Sequence, residues 1–388
     1  MGAHAIDRRA VRPRTVLHLM HGSGRNLWIT ELVAATDPAR YRPVVVSVAG
    51  RGQLQADVRA VGVEADALNA AGRSAYPVAV SRLARMIVGH RPHLIHSHLL
   101  YADVIAAPLR HLGAIPRLVF TRHESPDLMR HLELPSWKRA AVAFAARTAY
   151  AAADAIIAPS TRTWEELSNW GIPSSRLHRI PIGLETAKID NVSDAAVREA
   201  RLRLDLATGA SAITISKFSP QKNLPFLIQV WKEVRGRHPG ARLLIVGEGG
   251  QESRLRALVA DLGLERSVLL TGWRDDVYVL LKAVDFMIHV SHSESTGMVL
   301  LEALAARKPL IATPVGVVGE YLRDGEHCLV VPQGDRLATL QAIERIIGDA
   351  DLRANLVRRG RAIIDEVFPM GVMACRYADV YDRVVQGD

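Results

Sequence analysis

The chain has 388 residues, 49% of them hydrophobic and 23% charged, with a formal net charge of +9. That length favours two domains with separate cores, and the composition is that of an ordinary soluble protein. Its two cysteines, Cys328 and Cys375, lack CxxC or metal-ligand spacing, which fits a reducing cytoplasmic setting.

The opening residues carry no apolar core and so predict no secretory signal, and Ile6 breaks the myristoylation pattern. Residues 140–158 are Ala-rich but interrupted by Arg147 and Asp154, a poor membrane span. The whole positive excess falls in residues 1–185, with 23 Lys and Arg against 14 Asp and Glu; residues 186–388 balance at 26 and 26. The imbalance points to an acidic lipid surface, a pyrophosphate-bearing acceptor or nucleic acid, and equally to a plain solvated basic surface.

Short apolar, β-branched runs predict strands at 15–20, 43–48, 94–96, 118–121, 155–158 and 178–180, with helical stretches between. A polar break at Asp190–Asp194 reads as the linker. A second series follows at 212–216, 241–246, 267–270, 286–289, 310–312 and 328–331, and the C-terminal segment is mostly helical. This alternation predicts two doubly wound parallel-sheet domains with a cleft between them and ligands at the carboxyl ends of the strands.

The candidate residues all follow strands. Gly22, Ser23 and Gly24 after the first strand form a weak anion cradle with the next helix. Lys217 and Lys222 flank a turn at Pro220 and suit a diphosphate, or are two surface lysines. Gly247 opens a Gly-rich turn that lacks both GxGxxG and P-loop spacing, so nicotinamide binding and P-loop chemistry lose support. Trp273 and Arg274 lie on a loop that shelters a base or merely leads to a helix capped by Asp275.

Glu294 and Glu302 bracket the segment after the strand at 286–289. Met298 to Ala306 reads as a helix, capped by Ser295 or Thr296, with Gly297 allowing close approach to its N–H groups. Of the histidines at 93, 96, 98 and 123, His123 is the better cleft candidate. The rings of His96 and His98 are expected on opposite faces of their strand, with no third ligand or carboxylate in view, so no metal is expected. No GxSxG elbow or reactive-cysteine context is present. The one DxD, Asp349–Asp351, lies between helices.

Taken together, these motifs resemble glycosyltransferase family 4, the retaining group-1 enzymes of GT-B fold. The order in Ala212 to Asp335 carries the resemblance: the loop Ser216–Asn223, Val-Gly-Glu-Gly, Gly-Trp-Arg-Asp-Asp, Glu-x7-Glu at Glu294 and Glu302, Pro-Leu-Ile-Ala-Thr-Pro, and Gly-Glu-His-Cys-Leu-Val-Val-Pro. The first half matches more loosely, through Gly22–Gly24, Ile95–His98 and Thr121–His123.

The resemblance implies that Lys217 and Lys222 hold a donor diphosphate with backbone N–H groups of Gly297, Met298 and Val299. It implies that Glu302 binds the ribose, that Glu294 and His123 lie near the transferred sugar, and that Gly22 approaches phosphates and acceptor. Lys217 stands where the family usually has Arg, and Thr296 replaces its usual aromatic.

The expected division is residues 1–185 for the acceptor and 186–368 for the nucleotide sugar, with 369–388 a helix packing back on the N-terminal domain. The expected activity is retaining, metal-independent transfer to a glycan or lipid-linked acceptor in cell-surface polysaccharide or glycolipid synthesis. It would take place in the cytoplasm at the inner face of a membrane, with an anionic membrane surface as partner and no nucleic acid. A sugar-nucleotide epimerase and a catalytically weak nucleotide-sugar-binding protein are the alternatives. Acceptor choice is assigned to loops such as Asp127 to Trp137.

Overall fold

The computed structural model describes residues 13–70, 72, 75–123, 135–206 and 209–387; most of the Asp127–Trp137 loop falls outside them. The chain divides into two compact units. One holds the chain up to Gly183 and resumes at Met370, and the other is Leu184–Pro369.

In the first unit the order is β1 (Arg14–Met20), α1 (Leu27–Ala34), β2 (Tyr41–Ser47), α2 (Gln53–Ala60), β3 (Glu64–Ala67), α3 (Tyr76–His90) and β4 (Leu94–His98). Then come α4 (Leu100–His111), β5 (Leu118–Thr121), α5 (Ser136–Ala151), β6 (Ala155–Ala158), α6 (Thr161–Asn169) and β7 (Leu177–Arg179). Among the described residues the strands form one parallel sheet, β3-β2-β1-β4-β5-β6-β7. Val44, Val45 and Val46 are all buried, as expected of a strand covered on both faces. β3 is the strand the sequence pattern misses: Glu-Ala-Asp-Ala has no β-branched residue, and pairing with β2 alone places it at the edge.

The second unit runs α7 (Ala187–Asp190), α8 (Asp194–Arg203), β8 (Ser211–Ile215), α9 (Leu224–Arg237), β9 (Arg242–Val246), α10 (Glu252–Asp261), β10 (Val268–Gly272) and α11 (Val277–Ala283). It continues with β11 (Phe286–His289), α12 (Met298–Ala305), β12 (Leu310–Ala312), β13 (Leu329–Val330), α13 (Arg336–Gly348) and α14 (Ala350–Val367). Its sheet, among the described residues, is β10-β9-β8-β11-β12-β13, again parallel. Leu224, Leu227, Ile228, Trp231 and Val234 put a continuous stripe of α9 into the core, and the Trp231 indole donates to Ser267 Oγ at 3.0 Å.

The last helix, α15 (Met370–Gln386), belongs to the first unit. Met373, Tyr377, Tyr381 and Val384 lie on one buried face. Asp382 receives the guanidinium groups of Arg14 and Arg40 and the hydroxyl of Tyr41. Gly183 lies so close that a Cβ there would stand 2.8 Å from Met370 Cα.

In each sheet the strand order reverses once, between β1 and β4 and between β8 and β11. Crevices for ligands open at such reversal points, beyond the carboxyl ends of the strands.

Candidate functional site

In the second unit, the loops after β8 and β11 meet at the reversal point. Gln221 and His292 lace them together: His292 N donates to Gln221 O at 2.8 Å and Gln221 Nε2 to Ser293 O at 2.6 Å. This brings Lys222 onto Glu294, whose Oε1 it contacts directly. The same oxygen takes His289 Nε2 at 2.7 Å, and Ser291 Oγ lies 2.9 Å from that nitrogen. Burial alone would raise the Glu294 carboxyl, but His289 and the Lys222 ammonium outweigh it and hold its pKa at about 2. Glu294 is therefore a fixed anion at neutral pH. Lys217, on the same loop, is exposed and makes no ion pair among the described residues.

α12 begins at Met298, but neither Ser295 nor Thr296 caps it. The cap position is Gly297, in the left-handed region at φ +80, with no side-chain hydrogen bond. The reason is local packing: Thr296 is buried, and its carbonyl accepts from Val317 N at 2.9 Å. The first-turn amides of Met298 and Val299 therefore meet no capping side chain and point beyond the helix end. Glu302, further along α12, is half-buried and accepts from Tyr278 Oη at 3.2 Å.

The glycine requirement at Gly247 has a structural cause. At φ +135, its missing Cβ would lie 2.0 Å from Ser216 O. The Gly-rich turn thus seats the loop that carries Lys217, and Phe218 N donates to Glu248 O at 2.7 Å across the same contact. Trp273 is 66% exposed. Asp276, not Asp275, occupies the cap position of α11, and both its oxygens are taken by Arg274.

In the first unit, Gly22, Ser23 and Gly24 follow β1, but α1 starts only at Leu27 and is capped by Asn26 Oδ1. Among the described residues, no heavy atom beyond the immediate chain neighbours lies within 4 Å of where a Cβ would sit at Gly22 or Gly24. His123 follows β5 and is half-buried. Its Nε2 lies 3.3 Å from His98 Nδ1, and the Trp28 ring stands edge-on to it with centroids 4.4 Å apart.

His96 and His98 do not face opposite ways. Their ring centroids are 4.1 Å apart, because side chains alternate along a strand and positions two apart share a face. They are joined by His18 of β1, which pairs in register with His96. Sequence reading missed His18, and neighbouring β1 and β4 in the doubly wound order would have revealed it. Burial lowers the pKa of His18 to about 3 and of His123 to about 4; burial and neighbouring imidazoles hold His96 and His98 well below the ordinary imidazole range. All four are neutral at pH 7. His93 serves the backbone, accepting from Thr15 N at 3.0 Å.

The ring nitrogens of His18, His96 and His98 come within 4.8 Å of one another, which suits three metal ligands. Apart from His18 Nε2, however, these nitrogens are all engaged in hydrogen bonds. Tyr381 and Thr121 hydroxyls occupy both nitrogens of His96, while His18 and His123 occupy those of His98. The DxD aspartate Asp349 caps α14 through Leu352 N. Burial pushes the Cys328 thiol up to about 12. No helix among the described residues is long and apolar enough to cross a membrane.

Comparison with known proteins agrees with this architecture. Residues 207–363 match the model for glycosyl transferases group 1, and residues 23–188 the model for Glycosyltransferase Family 4. The lipopolysaccharide core biosynthesis glycosyltransferase LpsE of Rhizobium meliloti is 32% identical over 46% of this chain and 47% of its own length. The D-inositol 3-phosphate glycosyltransferase of Acidothermus cellulolyticus is 31% identical over 73% of this chain and 66% of its own. The chain thus spans from about half to two thirds of these curated relatives. Anabaena Alr3699/HepE, solved in complex with UDP and glucose, superposes with a TM-score of 0.82 over 95% of this chain and 99% of its own, at 21% identity. With both units matched by the paired models of one family, the chain belongs to the group 1, family 4 glycosyltransferases of GT-B fold.

Proposed function

We propose that the protein is a retaining glycosyltransferase. It moves a sugar from a nucleoside-diphosphate donor to a glycan or lipid-linked acceptor in cell-surface polysaccharide or glycolipid synthesis, without a metal. One observation carries this reading: the Lys222–Glu294–His289 cluster adjoins the uncapped amides of Met298 and Val299 at the reversal point of the second sheet.

A departing diphosphate needs positive partners that are in place before it leaves. Lys222, Lys217 and the α12 amides supply them, which is the role a metal plays elsewhere. Glu294, held ionised, contacts the transferred sugar, and Glu302 takes the ribose. Gly247 and Trp273 border the donor, and His123 and Gly22–Gly24 serve the sugar and acceptor from the first unit. The acceptor hydroxyl attacks from the face that the leaving group vacates.

Exposed Trp137 and Phe144 on α5, near Lys138 and Arg147, support docking of the basic first half on an anionic membrane. The proposed location is the inner face of that membrane.

The test is a thermal-shift panel of UDP, GDP, ADP, CMP and their sugars, with and without Mg²⁺, followed by transfer assays with the donor that binds. One nucleoside diphosphate standing out, with no need for Mg²⁺, is expected. A ligand at about 100 times its Kd should stabilise by roughly 2.7 kcal/mol, and no response to any of them would overturn the reading.

A further inference from the structure

Three imidazoles in the first unit form a line. His18 Nδ1 lies 3.1 Å from His98 Nε2, and His98 Nδ1 lies 3.3 Å from His123 Nε2. His18 and His98 are fully enclosed, at 2% and 0% exposure, and His123 is the half-buried end. Among the described residues, the one side-chain hydrogen bond of His18 and the one of His123 both run to His98. The line is therefore closed inside and open outside.

Each neutral imidazole donates once and accepts once, so the protons along the line must all point the same way. The inner end sets the direction. A buried N–H without a partner is rarer in proteins than a bare acceptor, so His18 keeps its bare nitrogen at Nε2 and its proton at Nδ1. It gives that proton to His98 Nε2. His98 then carries its own proton on Nδ1 and gives it to His123 Nε2. His123 is left with its proton on Nδ1, at the open end. Beside it, the buried indole N–H of Trp28 also has no partner among the described residues. Leu99, directly after His98, is held at φ +76, a backbone conformation that bulky residues adopt only when their surroundings enforce it.

We propose that His18 and His98 are positioning residues that hold His123 as its neutral Nδ1–H tautomer. His123 and Trp28 then present two fixed N–H donors to a hydroxyl or phosphate oxygen of a ligand bound at the first unit. The ligand in this statement rests on the glycosyltransferase reading; the tautomer does not. A neutral donor grips a hydroxyl or phosphate oxygen without placing a cation beside a sugar that turns positive as its diphosphate leaves.

The test is long-range ¹H–¹⁵N correlation of ¹⁵N-histidine-labelled full-length protein at pH 7, with His123→Asn to assign the signal. The expected result is a protonated Nδ1 and a bare Nε2 on His123. His98→Phe removes the donor, so His123 should become a mixture of tautomers, and kcat should fall about tenfold or more with KM changed less. In His98→Asn the amide N–H takes the place of Nδ1–H, and should restore the tautomer and part of the rate.

A wild-type His123 protonated at Nε2 or averaged between forms overturns the proposal. So does a tautomer that His98→Phe leaves unchanged, or a stoichiometric transition metal co-purifying on His18, His96 and His98. The expected tautomer in a protein with no transfer activity would support the line of imidazoles and sink the glycosyltransferase reading instead.

Discussion

Lys222 and Glu294 stand 72 positions apart in the chain, yet the ammonium of one rests on the carboxylate of the other. Their side chains are 16% and 11% exposed, so each charge relies on the other rather than on water. Removing one partner of such a pair leaves an uncompensated charge, which costs more than the pair contributes while intact. Lys222→Ala is expected to destabilise the second unit by about 3 kcal/mol, read by urea unfolding. Retention of wild-type stability would mean the pair is open in solution.

Glu294→Gln keeps the shape and removes the charge. Transfer should fall by about a hundredfold or more, while the Kd for the nucleoside diphosphate stays within about threefold. Initial rates and calorimetry separate the two effects. Unchanged rates would remove Glu294 from the chemistry.

The depressed pKa of Glu294 also predicts how stability depends on pH. The folded value of about 2 lies below the ordinary 4.5, so the unfolded state binds the proton more readily. The stabilisation is complete above pH 4.5 and is lost as pH falls toward 2. Acid titration of Glu294→Gln should lack this component of the loss.

Gly247→Ala forces a methyl against Ser216 O in a backbone region that alanine avoids. The expected loss is about 2 kcal/mol or more, with weaker donor binding because the Lys217 loop must shift. A wild-type melting curve would show that the turn relaxes freely.

Asp382→Ala unpairs Arg14 from α15 and leaves Arg40 only Asp379, and Tyr41 only the Ala378 carbonyl, on that helix. Because Asp382 is about one-third exposed, the expected cost is about 1–2 kcal/mol, confined to the first unit. Hydrogen exchange across α15 and β1 would report it.

Vesicles of anionic lipid should retain the protein at low salt and release it as salt rises, and Trp137→Ser with Phe144→Ser should weaken retention. Absence of binding at every salt concentration would remove the membrane from the proposed function.

Strands built from Val, Ile and Leu were legible because burial on both faces demands continuous apolar runs. The edge strand Glu64–Ala67 was not, since its pairing with β2 supplies what its composition lacks. The candidate residues after β8 and β11 could be found from sequence, but not their partners. His289 reads as one more strand residue until the loop after it folds back to place Glu294 on its ring. The cap of α12 depended on Thr296 being drawn into the interior, a tertiary effect that the local preference of Ser and Thr for caps does not contain. The histidine line needed β1 beside β4, a neighbour relation that no local window holds.

The return of α15 to the first unit has a consequence for biosynthesis. The ribosome completes Leu184–Pro369 before Met370–Gln386 has emerged, so the second unit can finish folding while the first still lacks a wall. Until then, the side of the sheet where Tyr41, His96 and Thr121 receive Tyr377 and Tyr381 is an unfinished surface on the nascent chain. The first unit, though made first, is the last to mature, and a chaperone acting on this protein should engage it early and release it only after the final helix arrives.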